Sequence, residues 1–410
     1  MIDMDAVDNV RAQFSQLNRE VGPVHTQLIY LDSAASSLVP DCVVDAMSTY
    51  EKTKRSNIHR GIHVCAEEST DLYETARENL AAFIYSDPQN LVLTHGATES
   101  VNMVAQGWAR WQLFEDDRIV LFLDNHHANI VPWQMLQQQI GFSIDFVEVD
   151  DEGFYDEIGW RQALEAKPKL VACTHVSNVM GHAHPVEQIV KEAHEQGATV
   201  LVDAAQSFGH LPLNVSGMGA DMVVGSCHKA YGPFGIGFLY CEAKVLEELH
   251  PVYGGGNMIQ RVTREGFTPA QGVTMLEAGT PTVSASAGLL ASILFMEQVG
   301  IERIAKHATE LRAYAFNEMQ KLPHIRLFGD REAHHASLVT FLMNGIHPHD
   351  VAADLDGRGI AVRAGHHCCM PLHDHLRIKG SVRASFAIYN TREDVDELVA
   401  ALADMKDVVR

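Results

Sequence analysis

VLVDAAQSFGHLPLNVSGMGADMVVGSCHKAYGPFG, residues 200–235, is the stretch whose reading decides the fold. One apolar run ends in Asp203 and Gln206, and a second ends in Ser226, His228 and Lys229. An Asp and a Lys at the ends of neighbouring strands are what pyridoxal phosphate needs. The Lys amine forms a Schiff base with the cofactor aldehyde, and the carboxylate pairs with the pyridinium nitrogen and keeps it protonated as an electron sink. The same spacing also fits a surface Lys and a strand-end Asp that never meet, so the rest of the chain has to decide.

The 410 residues are 46% apolar and 20% charged, a globular composition long enough for about two to three domains. A formal net charge of -22 disfavours a nucleic-acid backbone or an anionic membrane as the main partner. It leaves a small substrate open, because one local Arg can dominate a pocket. The start, MIDMDAVDNVRAQF, lacks the basic opening and apolar core of a secretory signal, and no run approaches the ~18 apolar residues of a membrane span. Seven cysteines, at 42, 65, 173, 227, 241, 368 and 369, form no regular framework, and their odd number leaves at least one unpaired. A reducing cytoplasm is the expected compartment.

Along the chain, residues 5–20 read as a helix, QLIYLDSAASSLVP as a short strand entering a small-residue loop, and 41–54 as a helix. SNIHRGIHVCAEEST reads as a polar loop and DLYETARENLAAFI as the helix after it. LVLTHGATESVNMVAQGWA is a strand, a Gly turn and a helix beginning near Thr98, where backbone N–H groups and the helix dipole suit a phosphate. An ordinary N-cap is the simpler local reading of Thr98. Another strand leads to His126 and His127, whose imidazoles could stack on a cofactor ring or shuttle a proton; metal binding by adjacent histidines is weaker, since neighbours on an extended chain point apart. KLVACTHVSNVMG ends in Ser177 and Asn178, and a helix with a Gly stop leads into 200–235. Strands alternating with helices predict a sheet covered on both faces, with His126, Asn178, Asp203 and Lys229 on one ligand-binding rim. The glycines of YGPFGIGF and YGGGN read as turns, and LEAGTP as a Gly-Thr turn with an anion role in view. From about residue 300, helix 301–321, strands near IRLFG and ASLVTFLM, helix HDVAADLDGRG, strands IAVRAG and VRASFAIYN, and a closing helix predict a compact α+β unit.

Between the last two strands lies RAGHHCCMPLHDHLRIKGSVRAS, with Arg363, His366, His367, Cys368, Cys369, His373 and His375. Two thiols and four imidazoles could ligate a metal, although no spaced Cys pair accompanies them. A thiol near imidazolium and Arg could instead be a nucleophile, its thiolate favoured by positive charge, and a Cys pair in a loop could also be inert.

The motifs LDSAAS, NIHRGIH, ATES, HHANIVPWQ, HVSNVMG, VDAAQS, HKAYGP, EAGTP, RAGHHC and RASFAIYNT together resemble the group II cysteine desulfurases and selenocysteine lyases, in colinear order over nearly the whole chain. The resemblance implies a class V, fold-type I PLP-dependent transferase. The α/β fold expected has a large domain, residues 26–298, with a mostly parallel sheet covered by helices. A smaller α+β C-terminal domain, 299–410, carries the cysteine loop, and an N-terminal segment, 1–25, packs on that small domain. Matched by position, the resemblance makes Lys229 the Schiff-base lysine, Asp203 the partner of the pyridinium, and Gln206 that of the phenolic oxygen. His126 stacks on the ring and assists proton transfer, Thr98, Ser226 and His228 hold the phosphate, and Thr280 reaches the phosphate of the other subunit of a homodimer. Asn178 and Arg383 grip the substrate carboxylate, with Arg363 and Ala34 also in the substrate site. Cys368 is the catalytic nucleophile, which takes sulfur from L-cysteine as a persulfide and leaves L-alanine. A small sulfur-acceptor protein and iron-sulfur cluster assembly are implied downstream, and no metal is expected.

Three departures from the family pattern involve four positions. Cys369 follows Cys368 where a small residue is usual, leaving open which thiol holds the persulfide and whether the two form a disulfide or a sulfur relay. Cys227 puts a soft atom beside the phosphate and lysine residues, and Ala230 and Phe234 change the cofactor wall. L-selenocysteine as substrate, a transaminase or epimerase, and a sulfur-carrier or metal-binding protein on the same fold are the alternatives; the thiol argues against the transaminase and the epimerase, which need none.

Overall fold

The computed structural model describes residues 9–22, 25–150, 153–329 and 337–405. Seven strands form its main sheet: β1 Leu91–Thr94, β2 Arg118–Phe122, β3 Ser143–Val147, β4 Leu170–Thr174, β5 Thr199–Asp203, β6 Met222–Ser226 and β7 Gly237–Cys241. Their order is β1-β7-β6-β5-β4-β2-β3, with β7 antiparallel to both neighbours and the remaining pairs parallel. Because helices cover both faces, the inner strands are apolar without a break, and the period of two sorts their side chains between two cores. Val120, Phe122, Val171, Cys173, Val200 and Val202 join one core, and Ile119, Leu121, Leu170, Ala172 and Leu201 join the other.

The helix Val283–Val299 is largely buried against helices Asp41–Thr53 and Val64–Phe83. Gly300, at φ +91, then bends the chain by 76° into helix Ile301–Met319. No single helix among the described residues is long and apolar enough to cross a membrane. Beyond the bend lies an antiparallel sheet of β8 Ile325–Phe328, β9 Leu338–Met343, β10 Arg363–Gly365 and β11 Ser381–Ser385, in the order β8-β9-β11-β10. Helices Ile301–Met319, Pro348–Gly357 and Arg392–Asp404 close over a third core that includes Leu311, Phe341, Val382 and Leu398. Thr391 and Asp394 start the last helix with a reciprocal capping box.

Several segments differ from their sequence reading. Of the helix expected over 5–20, residues 5–8 lie outside the described residues, only 9–11 are helical, and a 3-10 turn, Ser15–Asn18, and a strand, Glu20–Val21, follow. Tertiary contacts override helical propensity there: Phe14 is buried against Tyr231, Phe295 and Tyr389, and Arg11 pairs with Asp394. The loop expected over 56–70 is already helical from Val64, started by the His63 ring, whose Nδ1 accepts from Ala66 N at 3.3 Å. IAVRAG is two strands, since Ile360–Ala361 pairs with Ile29–Tyr30 while Arg363–Gly365 joins the small sheet. β3 and β7 and the short helix Met370–His375 have no counterpart in the sequence reading.

Candidate active site

A cavity of about 260 Å³ opens at the ends of β4, β5 and β6, under the cysteine loop. It brings together Ala34, Thr98, His126, Asn178, Asp203 and Gln206 from the large sheet side. Ser226, His228, Lys229, Arg363, Cys368 and Arg383 join them, so every expected residue but Thr280 lines it. Thr280 does not line it; it is exposed in a separate cleft with Asn57 and Arg60.

At one end, helix Ala97–Val104 points its N-terminus into the cavity, and Ser226 Oγ accepts from Ala97 N at 2.8 Å. Gly96 makes this approach possible: its φ is +149, and a Cβ there would sit 3.3 Å from Ser226 Oγ. His228 stacks on Phe234 with ring centroids 5.4 Å apart, and its Nδ1 has no hydrogen-bond partner. At the other end, the buried Asp203 accepts from Ala205 N at 2.9 Å, and Gln206 donates to Ala34 O at 2.7 Å. His126 Nδ1 accepts from Ala128 N at 3.1 Å, which leaves Nε2 to carry the proton of the neutral ring.

Across the cavity, β10 and β11 set Arg363 directly opposite Arg383. Like charges in that register repel, and Asp32 lies between them. Its carboxylate accepts from Arg363 Nε at 3.1 Å and Nη2 at 2.9 Å, and from Arg383 Nη2 at 3.5 Å. Arg383 also donates from Nη1 to Asn178 O at 2.7 Å, while its buried Nε has no partner.

The cysteine loop turns through two consecutive left-handed residues, His367 at φ +51 and Cys368 at φ +55. Such backbone is costly without glycine and persists where surroundings enforce it. Here His127 N donates to Cys368 O at 2.7 Å, Met370 N donates to His127 Nε2 at 2.9 Å, and Asn178 Nδ2 donates to His367 O at 2.6 Å. The turn separates the two thiols: Cys368 is exposed, whereas Cys369 is wholly buried beside Val149, Val179 and Leu372 with Sγ 3.8 Å from Leu123 O.

The Aminotransferase class-V family model matches residues 29–398. A probable cysteine desulfurase of Vibrio cholerae serotype O1 is 39% identical over all of both chains, and a cysteine desulfurase of Haloferax volcanii is 38% identical over 97% of this chain and 96% of its own. The apo structure of a cysteine desulfurase from Thermococcus onnurineus NA1 superposes with a TM-score of 0.91 at 37% identity, covering 96% of this chain and 98% of its own. The chain belongs to the cysteine desulfurase family of class-V aminotransferases. A more distant neighbour, with glycine covalently linked to its PLP cofactor, shares the fold alone at 23% identity and a TM-score of 0.82.

Class-V membership implies pyridoxal phosphate, and the donor set fits it. Backbone N–H groups, hydroxyls and the orphaned His228 nitrogen suit the phosphate, Asp203 suits a pyridinium N–H, and Lys229 lies on the same cavity. Lys229 reaches solvent through the cavity, yet the protein around it desolvates its ammonium and lowers its pKa to about 8, Asp203 opposing and Arg383 adding to the shift. Burial, with Lys229, His127 and Arg383 nearby, lowers His126 to about 3, so its ring is neutral at physiological pH. Burial also lowers Arg383 to about 10, against the pull of Asp32.

None of the residues that depart from the family pattern, Cys227, Ala230, Phe234 and Cys369, lines the cavity. Cys227 packs in the core with a thiol pKa raised by burial. Cys369 has its thiol pKa raised well above the ordinary value by burial. Phe234 is exposed and stacks on His228. His367, one of the loop imidazoles named from the sequence, lines the cavity and bonds Ser381; sequence reasoning missed Asp32, whose role depends on a register that LDSAAS alone does not reveal.

Proposed function

We propose that this chain removes sulfur from L-cysteine, releasing L-alanine and leaving a persulfide on Cys368. The observation that carries the reading is an exposed thiol on the rim of a cavity that also holds a lysine of lowered pKa and a pair of arginines. Pyridoxal phosphate, when bound, supplies the electron sink that makes the substrate's Cα–H and its sulfur labile. Arg383, with Arg363 beside it, holds the substrate carboxylate; Asp32 keeps the two guanidiniums apart until it arrives. Lys229, whose ammonium is disfavoured by burial in the cofactor-free protein, takes and returns the Cα proton. His126 Nε2–H faces the same space as a neutral donor rather than a cation. Cys368 Sγ attacks the substrate sulfur, forming the S–S bond as the Cβ–S bond breaks, and the electron pair released at Cβ is protonated to give alanine.

The same reading has a second copy of the chain supply Thr280, since that residue lies outside its own cavity. It also has Cys368 pass its outer sulfur to a small acceptor protein serving iron-sulfur cluster assembly. Mass spectrometry of the protein after L-cysteine, with alanine assayed in parallel, tests the reading. It expects one added sulfur on the Cys368 peptide and one alanine per sulfur; absence of both refutes it, and equal turnover of L-selenocysteine without a persulfide would favour a selenocysteine lyase.

A further inference from the structure

Outside the cavity lies a second convergence of donor atoms. Past the end of β2, Asp124 is wholly buried. His182 and His184 come from the tight turn closed by the bridge between Val176 and Ala183, with Ser177 N donating to His182 O and His184 N to His175 O. Two residues apart on an extended segment, the imidazoles project from the same face. Both direct Nε2 at one oxygen, Asp124 Oδ2, at 3.6 Å from His182 and 2.9 Å from His184. One donor atom from each of the three lies within 4.8 Å of the others.

We propose that Asp124, His182 and His184 bind one divalent transition-metal cation of the zinc type. Two imidazole nitrogens and a carboxylate oxygen match that chemistry, and tetrahedral bonds of about 2.0–2.1 Å separate neighbouring ligand atoms by about 3.3 Å, between the two spacings observed. Asp124 Oδ1 is buried without a hydrogen bond of ordinary length, the kind of deficit that a cation relieves, and the Ser177 hydroxyl lies beside the same carboxylate. Although burial pushes the Asp124 carboxyl up, His184 and His182 hold it below its ordinary value, so it is an anion ready to ligate. Phe122, Phe154 and Tyr155 pack around the imidazoles and restrict water. Access runs through a cleft lined by Glu148, Asp150, Asp156 and Glu157, whose field concentrates cations. Cation uptake displaces the proton shared between His184 Nε2 and Asp124 to solvent. The ion would tie the turn carrying Asn178 to the segment leading into His126, a positioning role separate from sulfur chemistry. The site stands on its own residues, so it does not depend on the desulfurase reading.

The test uses the holoenzyme, stripped with EDTA, desalted, and titrated with Zn²⁺ or Co²⁺. Elemental analysis should find one equivalent retained, and bound Co²⁺ should show visible d–d absorption without a thiolate charge-transfer band. Asp124→Asn and His184→Gln should each weaken retention by more than the about 10–100-fold that outer-shell changes cost, with pyridoxal phosphate content preserved, while Cys368→Ser keeps the equivalent. Should either variant fail to fold, the wild-type Co²⁺ spectrum still decides. No retained metal in the wild type, full retention in both Asp124→Asn and His184→Gln, or a thiolate band from the cysteine loop would each overturn the site; the first would leave the cluster as a hydrogen-bonded acid-imidazole group.

Discussion

Replacing each of the adjacent cysteines separately gives opposite outcomes. Cys369 is wholly buried among Val149, Val179, Met180, Phe328 and Leu372. Cys369→Ala therefore removes one packed sulfur atom, costing about 1–2 kcal/mol of stability. It removes no thiolate, because burial holds this thiol well above its ordinary pKa and the protonated form is not a nucleophile. Steady-state alanine production by Cys369→Ala should stay within about twofold of wild type, a barrier change of about 0.4 kcal/mol. Cys368→Ser should retain bound pyridoxal phosphate, since Cys368 is not among the residues proposed to hold it, and lose desulfuration. Brief alkylation of the native protein followed by peptide mapping should modify Cys368 and spare Cys369, and after L-cysteine the added sulfur should map to Cys368. Loss of turnover in Cys369→Ala as deep as in Cys368→Ser, or persulfide on Cys369, would refute the reasoning.

Other tests read different parts of the site. Because Lys229 in the cofactor-free protein is lowered to about 8, its amine becomes nucleophilic as pH rises through that value, and the rate of pyridoxal phosphate uptake should climb with a midpoint near 8 and then level. Asp203 holds that pKa up, so Asp203→Asn should move the midpoint down; a wild-type midpoint near the ordinary lysine value contradicts the burial argument. Arg383→Lys keeps the charge and loses the fork, so KM for L-cysteine should rise at least tenfold with kcat changed less, by initial-rate kinetics; an unchanged KM removes Arg383 from substrate binding. Glu277 is bidentate to Arg77 at 2.6 and 2.8 Å and accepts from Tyr73 and Leu93 N, with both charged side chains 5% exposed. Glu277→Gln removes the bidentate partner and leaves the buried guanidinium with Glu74 and Leu91 O as its remaining acceptors, so it should cost about 1–3 kcal/mol in urea unfolding; a loss below about 1 kcal/mol would show that those two acceptors suffice.

Much of the site was legible because a parallel sheet writes itself plainly: an unbroken apolar run must be a buried strand, and the polar residue that ends it must stand on the rim. Asp203 and Ser226 follow from that rule, as does the covering of both faces, while Asn178 stands in the turn four residues past the end of β4. β7 escaped because its glycines read as turns, although Gly237 is what lets the strand pass Gly225 O and Gly96, each 2.5 Å from a Cβ built there. Cys227 was misread because strand alternation stops at Ser226, and the 3-10 turn Cys227–Lys229 rotates the thiol into the core. The site of Asp124, His182 and His184 shows in the chain only as a histidine pair two residues apart; nothing local connects it to an aspartate some sixty positions earlier.

The cysteine pair shows the same limit and has a mechanical consequence. Which of two adjacent side chains faces the cavity depends on backbone sign, and the left-handed pair His367 and Cys368 is imposed from outside the loop. His127 fixes the Cys368 carbonyl and the Met370 amide, and Asn178, itself bonded by Arg383, fixes the His367 carbonyl. With its backbone held on both sides, the Cys368 sulfur is left rotation about its own side-chain bonds. A thiol so anchored lines the cavity and is also exposed, so the proposed reaction needs no swing of the loop to present its sulfur outward. The segments that fix it carry His126 and Asn178, so on the proposed function the part of the large unit that would hold the cofactor and substrate also sets the reach of the Cys368 thiol.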